Sequence, residues 1–152
     1  QAGVPVNMSV RGICCLLPQV EGKTDNIHIR SIVGRYLEHS RIYVFGKGES
    51  MSMYIASSDF MVRNTEHRVE IAAPIKDKGI QKTILDYLDY LWKDNINARE
   101  LSSHGALLPI KDFREPFDNH QYLMDHTDEA PAVEKSTRKG RVINSFSTTY
   151  KK

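Results

Sequence analysis

Basic and titratable side chains recur at short spacings in the first half of the 152-residue chain. His39 stands two residues before Arg41, and Arg68 stands two residues before Glu70. Arginine offers forked donors that match phosphate oxygens, and it stays charged at any relevant pH. Histidine can attack, accept a proton or return one near neutral pH. These residue types at these spacings predict a site that handles phosphate groups.

Two further charged residues complete the candidate set. Arg11 is the one charge in a nearly continuous apolar run at 6–17, and Asp59 follows the stretch "ASS". A buried cation needs a carboxylate or a functional anion as its partner. Arg11 therefore either binds phosphate or forms a structural ion pair with Asp59 or Glu70. Likewise, Arg41 either contacts substrate or orients one of these carboxylates, and Asp59 either supports the site or caps a turn.

Hydrophobic periodicity predicts the elements that carry these residues. The run at 6–17 predicts a strand buried on both faces, 40–45 and 51–58 predict a hairpin, and 68–75 predicts a further strand. Apolar residues at helical spacing predict an amphipathic helix over 78–94, resumed at 98–102. Strands combined with such a helix indicate an α/β domain.

Composition bounds the class of protein. The length suits one domain, and 26% charged with 40% hydrophobic residues is typical of a soluble globular chain. A net charge of +2 is too small to indicate nucleic acid or an anionic membrane by itself, and no apolar run approaches a membrane span. The adjacent Cys14 and Cys15 lack metal-site spacing and are expected to be buried. Glycine-rich phosphate-binding motifs are absent, so side chains must bind any phosphate.

The pattern changes after Gly105. Few apolar positions are periodic there, which predicts a folded domain at 1–104 and a poorly packed or extended tail at 105–152. Basic residues occur without acidic ones from Lys135 onward; a solvated tail explains them more simply than a polyanion-binding segment. His104, at the boundary, and His120 and His126, within the tail, lack metal-site spacing.

Four strings occur in order: "VRGICCL" at 10–16, "SIVGRYLEHSRIYVF" at 31–45, "SSDFMVRN" at 57–64 and "RVE" at 68–70. Together they resemble the C-terminal domain of bacterial polyphosphate kinase, over about two-thirds of the chain. That family has a phospholipase D-like architecture, so the resemblance implies an α/β fold with a mixed sheet flanked by helices, in a single domain with an irregular C-terminal tail. The phospholipase D pattern is H-x-K, a G-S-x-N turn and a downstream Glu; here Arg41 replaces the Lys and Asp59 replaces the Asn.

The resemblance implies reversible transfer of the terminal phosphate of ATP to polyphosphate through a phosphohistidine, with Mg²⁺. The phosphorylated histidine and the metal-contacting positions of the family lie upstream of residue 1. The chain begins "QAGVPV" without Met, and we expect it to be an inactive piece of a longer protein. His39 matches the second essential histidine, Arg11 a nucleotide-binding arginine, and Arg68 a phosphate-contacting position. Supporting roles fall to Arg41, Asp59 and Glu70.

The implied partners are ATP, ADP, polyphosphate and the remaining domains of the parent chain. The full-length protein is expected to be a homo-oligomer in the cytoplasm, with membrane association as a further option. Two other function classes stay open. A phospholipase D-like phosphodiesterase or nuclease would complete its site by dimerising, with two copies of His39 face to face, and would cleave a diester without ATP. A polyanion-binding module would show salt-dependent binding and no chemistry.

Overall fold

The computed structural model describes residues 2–112 and 114–127, in which seven strands, numbered in chain order, form two sheets. The first sheet has the order β1 (Val6–Ser9), β2 (Ile27–Ile32), β6 (Ala98–Leu101) and β7 (Leu107–Pro109). Its β1 and β2 are parallel, and the other neighbours are antiparallel. The second sheet is antiparallel, with the order β3 (Ile42–Phe45), β4 (Ser52–Ala56) and β5 (Ala72–Pro74). The predictions of an α/β fold with a mixed sheet and of a hairpin are confirmed.

The helices among these residues are α1 (Val62–Glu66), α2 (Lys78–Lys93) and α3 (Asn119–Asp125). The predicted amphipathic helix corresponds to α2, whose first turn is capped by the Asp77 carboxylate accepting from the Ile80 amide at 2.9 Å. Its inner face packs Leu91 against Ile32 of β2 and Ala98 of β6, and these three side chains form a buried core cluster. None of the described helices has the length and hydrophobicity to cross a membrane.

The prediction of one long buried strand at 6–17 is wrong. The strand β1 ends at Ser9, Arg11 lies in the bend that follows, and Ile13 is 94% exposed. Among the described strands, β1 pairs only with β2. It is an edge strand whose residues alternate between half-buried and exposed, so only one face of this run is covered. Cys14 is half-buried and Cys15 is exposed, which contradicts their predicted burial.

Two other element predictions need correction. The residues at 98–102 were predicted as helix, but they form strand β6, and the strand predicted at 68–75 is only the three-residue β5. The cause of the first difference is Asp94, whose Oδ1 accepts the backbone N–H groups of Ile96, Asn97 and Ala98 at 2.7–3.1 Å. This local capping turns the chain out of α2 and into the first sheet.

Beyond residue 104, the described residues include two elements that join the rest of the chain. β7 adds a strand to the first sheet, and α3 buries Asn119 and His120. The sequence pattern did not predict the packing of β7 and α3, because these elements are short and few of their apolar positions are periodic. The division at residue 104 stays a prediction, and the basic stretch from Lys135 lies outside the described residues.

Candidate phosphate-binding site

The two sheets meet at a cluster of Arg11, Arg41 and Asp59. Arg11 follows β1, Arg41 directly precedes β3, and Asp59 lies shortly after β4. The Ala56 amide donates to the Arg41 carbonyl at 2.9 Å, which places Arg41 opposite the end of β4. The hairpin therefore brings residues 41 and 59 together, and β1 delivers Arg11 from the other sheet.

The Asp59 carboxylate is shared by both arginines. Arg11 Nη2 donates to Oδ1 and Oδ2 at 2.9 and 3.1 Å, while Arg41 donates from Nε at 2.9 Å and from Nη2 at 3.2 Å. The three side chains are only 20–26% exposed. The hydrogen bond from Arg41 holds the pKa of Asp59 below its usual range and raises the pKa of Arg41. The sequence left open whether Arg11 pairs with Asp59 or Glu70, and the structure shows the pair with Asp59.

Neither guanidinium is saturated by this pairing. Arg11 binds Asp59 through one nitrogen, Nη2, and its Nη1 makes only a long 3.5 Å contact with the Glu38 carbonyl. Arg41 uses Nε and Nη2, so its Nη1 makes no hydrogen bond within 2–112 and 114–127. The Arg11–Asp59–Arg41 cluster thus carries one net positive charge and fixed N–H donors that remain available to an anion.

Glu70 is held in a separate pair of contacts. Its carboxylate accepts a short hydrogen bond from the Ser57 hydroxyl and one of 2.7 Å from Asn64 Nδ2, and these bonds lower the pKa of Glu70. Arg68 is exposed, and its positive charge also lowers the pKa of Glu70, to a smaller extent. Arg68 makes no hydrogen bond or ion pair with the residues that the structure describes.

His39 lies in the irregular segment between β2 and β3 and is exposed. Within the described ranges its imidazole makes no hydrogen bond, so neither His39 nor Arg68 is joined directly to the Arg11–Asp59–Arg41 cluster. An open pocket of about 640 Å³ lies beside His39, and Leu37, Leu123 and Met124 contribute to its mostly apolar lining. The imidazole is thus accessible to a ligand, and its assignment as the catalytic residue stays a prediction.

Sequence reasoning missed a group of residues next to His39. The Glu38 carboxylate accepts hydrogen bonds from the side chains of Tyr87, Asn119 and His120. His120 was predicted to lie in a poorly packed tail, yet only 4% of it is exposed. The signal available in the sequence was the carboxylate directly before His39 in "LEHSR", since a charged residue there needs a partner if the segment is covered.

Mg²⁺ is implied by the family resemblance, but the described residues do not fit a site for it. Mg²⁺ prefers several oxygen ligands in octahedral geometry. The nearby carboxylates of Asp59, Glu70 and Glu38 are already held by protein donors. No group of three or more His, Cys, Asp or Glu side chains within the described ranges could hold a metal ion.

Comparisons with known proteins agree with the resemblance seen in the sequence. The family described as "Polyphosphate kinase C-terminal domain 2" matches residues 1–143. A polyphosphate kinase from Klebsiella pneumoniae is 47% identical over 98 residues, which cover 64% of this chain and 14% of that protein. One from Staphylococcus haemolyticus is 43% identical over 124 residues, or 82% of this chain and 17% of that protein.

A solved structure is similar as well. The crystal structure of polyphosphate kinase from Porphyromonas gingivalis superimposes with a TM-score of 0.78 at 33% identity, covering 84% of this chain and 20% of that chain. The chain thus spans a fifth or less of the length of these relatives. Because the family match extends over nearly all of its residues, the chain belongs to the polyphosphate kinase C-terminal domain 2 family.

Proposed function

We propose that this chain is the C-terminal catalytic part of a polyphosphate kinase and binds the phosphates of ATP and polyphosphate. The observation that carries the proposal is the sharing of Asp59 by Arg11 and Arg41. This pairing fixes both guanidiniums while leaving N–H donors available to an anion. Fixed donors that need no reorganisation are what phosphoryl transfer requires of a protein.

The proposed reaction is reversible and passes through a phosphohistidine. A histidine nitrogen upstream of residue 1 attacks the terminal phosphorus of ATP, a P–N bond forms, and the P–O bond to ADP breaks. A terminal oxygen of polyphosphate then attacks the same phosphorus, and the P–N bond breaks. Two displacements replace one difficult step. In this scheme Arg11 and Arg68 bind phosphate oxygens, and His39 donates a hydrogen bond or proton to the leaving oxygen.

The supporting residues have distinct proposed roles. Asp59 orients Arg11 and Arg41 and limits the repulsion between their like charges. Glu70 is fixed by Ser57 and Asn64 beside Arg68 and restrains the local positive charge. The apolar pocket beside His39 has the size of a small-molecule site and is proposed to receive part of the nucleotide.

The proposal extends to the partners of the chain. Mg²⁺ is expected to arrive with the nucleotide, with its protein ligands outside the described residues. The remaining domains of the parent chain supply the attacking histidine, and the full-length protein is proposed to be a homo-oligomer in the cytoplasm. The chain by itself should therefore make no polyphosphate from ATP; sustained transfer of phosphate by this chain, measured with radiolabelled ATP, would contradict the scheme.

Calorimetric titration tests the proposed site directly. ADP, ATP with Mg²⁺ and short polyphosphate are titrated into the wild-type chain and into Arg11→Ala, Arg68→Ala and His39→Ala. Loss of a charge-assisted hydrogen bond should weaken binding about tenfold in each variant. Lys82→Ala removes the same unit of charge from an exposed ion pair on α2 and should bind like the wild type.

Three results would overturn the proposal. The first is no binding of any of the three ligands by the wild type, and the second is wild-type binding that all three variants retain unchanged. The third is equal weakening in Lys82→Ala, which would indicate a general effect of net charge. Cleavage of a phosphodiester without ATP, abolished by His39→Ala, would instead favour the phospholipase D-like alternative.

A further inference from the structure

The segment that carries His39 is tied to α2 and α3 by the carboxylate of Glu38. Oε2 accepts the Tyr87 hydroxyl at 2.6 Å, and Oε1 accepts His120 Nε2 at 2.7 Å and Asn119 Nδ2 at 3.2 Å. The side chain of Glu38 is 14% exposed, and that of His120 is 4% exposed. A nearly buried carboxylate with three donors from two helices fixes the backbone position of residue 38 firmly.

Contacts from the residues on either side strengthen this attachment. Ser40 Oγ lies 3.1 Å from the Tyr87 hydroxyl, and the Tyr36 amide donates to His120 Nδ1 at 3.2 Å. Since Nδ1 accepts that hydrogen bond, the proton of the neutral imidazole lies on Nε2, which donates to Glu38. Residues 36, 38 and 40 are therefore all bound to α2 or α3, and His39 lies between two of them.

The helices that provide these donors are themselves locked together. Asp94, at the C-terminus of α2, is completely buried, and its Oδ2 accepts the Asn119 amide at the start of α3 at 3.0 Å. The rings of Tyr90 and Phe117 also meet there, with centroids 6.3 Å apart. Glu38 is therefore bound to two helices that are held together by contacts of their own.

The opposite side of residue 38 points to the phosphate-binding cluster. The Glu38 carbonyl accepts the long 3.5 Å contact from Arg11 Nη1. One residue therefore binds the helices through its carboxylate and approaches the Arg11–Asp59–Arg41 cluster through its backbone, with His39 as its neighbour.

We infer that Glu38, Tyr87 and His120 are positioning residues that hold His39 in register with Arg11. The inference rests on the proposed function, in that His39 must contact a phosphate group of the ligand. All three also line the open pocket beside His39 that is proposed to receive part of the nucleotide, so the test must separate action through the backbone of 36–40 from direct contact with the ligand. Loss of one of their hydrogen bonds should loosen His39 and weaken ligand binding only where His39 is present.

A double-mutant cycle on the full 152-residue chain tests this coupling. Tyr87→Phe removes only the hydroxyl that bonds Glu38 and Ser40, and it should weaken ADP binding about tenfold, as expected for a hydrogen bond to a charged group. In the His39→Ala background the same change should alter ADP binding by less than about twofold. Tyr54→Phe is the matched control, because the Tyr54 hydroxyl makes no hydrogen bond with the described residues.

A second measurement needs no ligand. The ¹⁵N relaxation order parameter of the His39 amide should fall from about 0.85, the value of rigid backbone, toward 0.6 in Tyr87→Phe and Glu38→Gln, with Tyr54→Phe unchanged. An unchanged order parameter in both variants would overturn the inference. So would equal weakening of ADP binding by Tyr87→Phe with and without His39, which indicates direct contact with the ligand or a general structural effect. If the wild type binds no ADP, the proposed function fails, and the relaxation measurement still decides whether these residues position His39.

Discussion

Replacing Asp59 by asparagine removes the one carboxylate that Arg11 and Arg41 share, with almost no change in side-chain size. Four N–O contacts of 2.9–3.2 Å converge on Asp59. An exposed ion pair contributes at most about 1 kcal/mol, whereas breaking a buried pair costs about 3–5 kcal/mol. Because a quarter of the Asp59 side chain is exposed to solvent, we expect an intermediate loss of about 2 kcal/mol in the free energy of unfolding.

Urea denaturation followed by circular dichroism measures this loss, and thermal unfolding should show a decrease in Tm of about 4–8 °C. Asp86→Asn is the matched control. Asp86 pairs with Lys82 on the exposed face of α2, where the two side chains are 46% and 78% exposed. This control should lose no more than about 0.5 kcal/mol.

The pH dependence separates the charge of Asp59 from its shape. The pKa of Asp59 is lower in the folded chain than in the unfolded one, chiefly because Arg41 donates to it. Its stabilisation is therefore complete well above the unfolded pKa of about 3.9 and is lost as the pH falls through the lowered folded pKa. The difference in the free energy of unfolding between the wild type and Asp59→Asn should have its full value at pH 7 and decrease below about pH 4. Equal losses in Asp59→Asn and Asp86→Asn, or a difference that does not change with pH, would refute this reasoning.

Two further predictions concern the packing around Glu38. Gly34→Ala should destabilise the chain by about 1–3 kcal/mol in urea denaturation, because a Cβ would lie 2.6 Å from Nδ1 of the buried His120. Gly12→Ala is the control, since a Cβ there meets nothing within 4 Å and should not destabilise the chain. Equal destabilisation by the two changes would contradict this packing. Burial and the bond to Glu38 raise the pKa of Tyr87 to about 12, so absorbance at 295 nm should show a late ionisation that Tyr87→Phe abolishes. Because the pKa of Tyr87 is higher in the folded chain than in the unfolded one, its contribution to the free energy of unfolding is present below about pH 10 and is lost as the pH rises toward 12. Identical absorbance titration curves for the wild type and Tyr87→Phe would exclude Tyr87 as the group that ionises late.

Local patterns predicted the hairpin and α2 well. Both depend on contacts close in sequence: a glycine-containing turn between two strands, and apolar residues at helical spacing behind a capping Asp77. The same approach failed at 6–17, where the apolar run was interpreted as a strand covered on both faces. Only the sheet order, with β1 at an edge, shows that this run is partly exposed.

The site could be predicted in part. Sequence reasoning left open whether Arg11 and Arg41 contact phosphate or pair with Asp59 or Glu70, and the structure shows that both pair with Asp59. The partners of Glu38 were not recognised, because His120 is 82 residues away in sequence and lies on a seven-residue helix with little periodicity. That association depends on tertiary packing, which local patterns do not encode.

The central claim is that Arg11 and His39 form one nucleotide-binding half-site. The most direct test is a titration of ADP into the ¹⁵N-labelled chain, observing the guanidinium resonance of Arg11 and the imidazole resonances of His39 by NMR. We predict that both shift with the same dissociation constant, and that His39→Ala weakens the shift at Arg11. Shifts confined to other residues, or different dissociation constants for the two side chains, would contradict the claim.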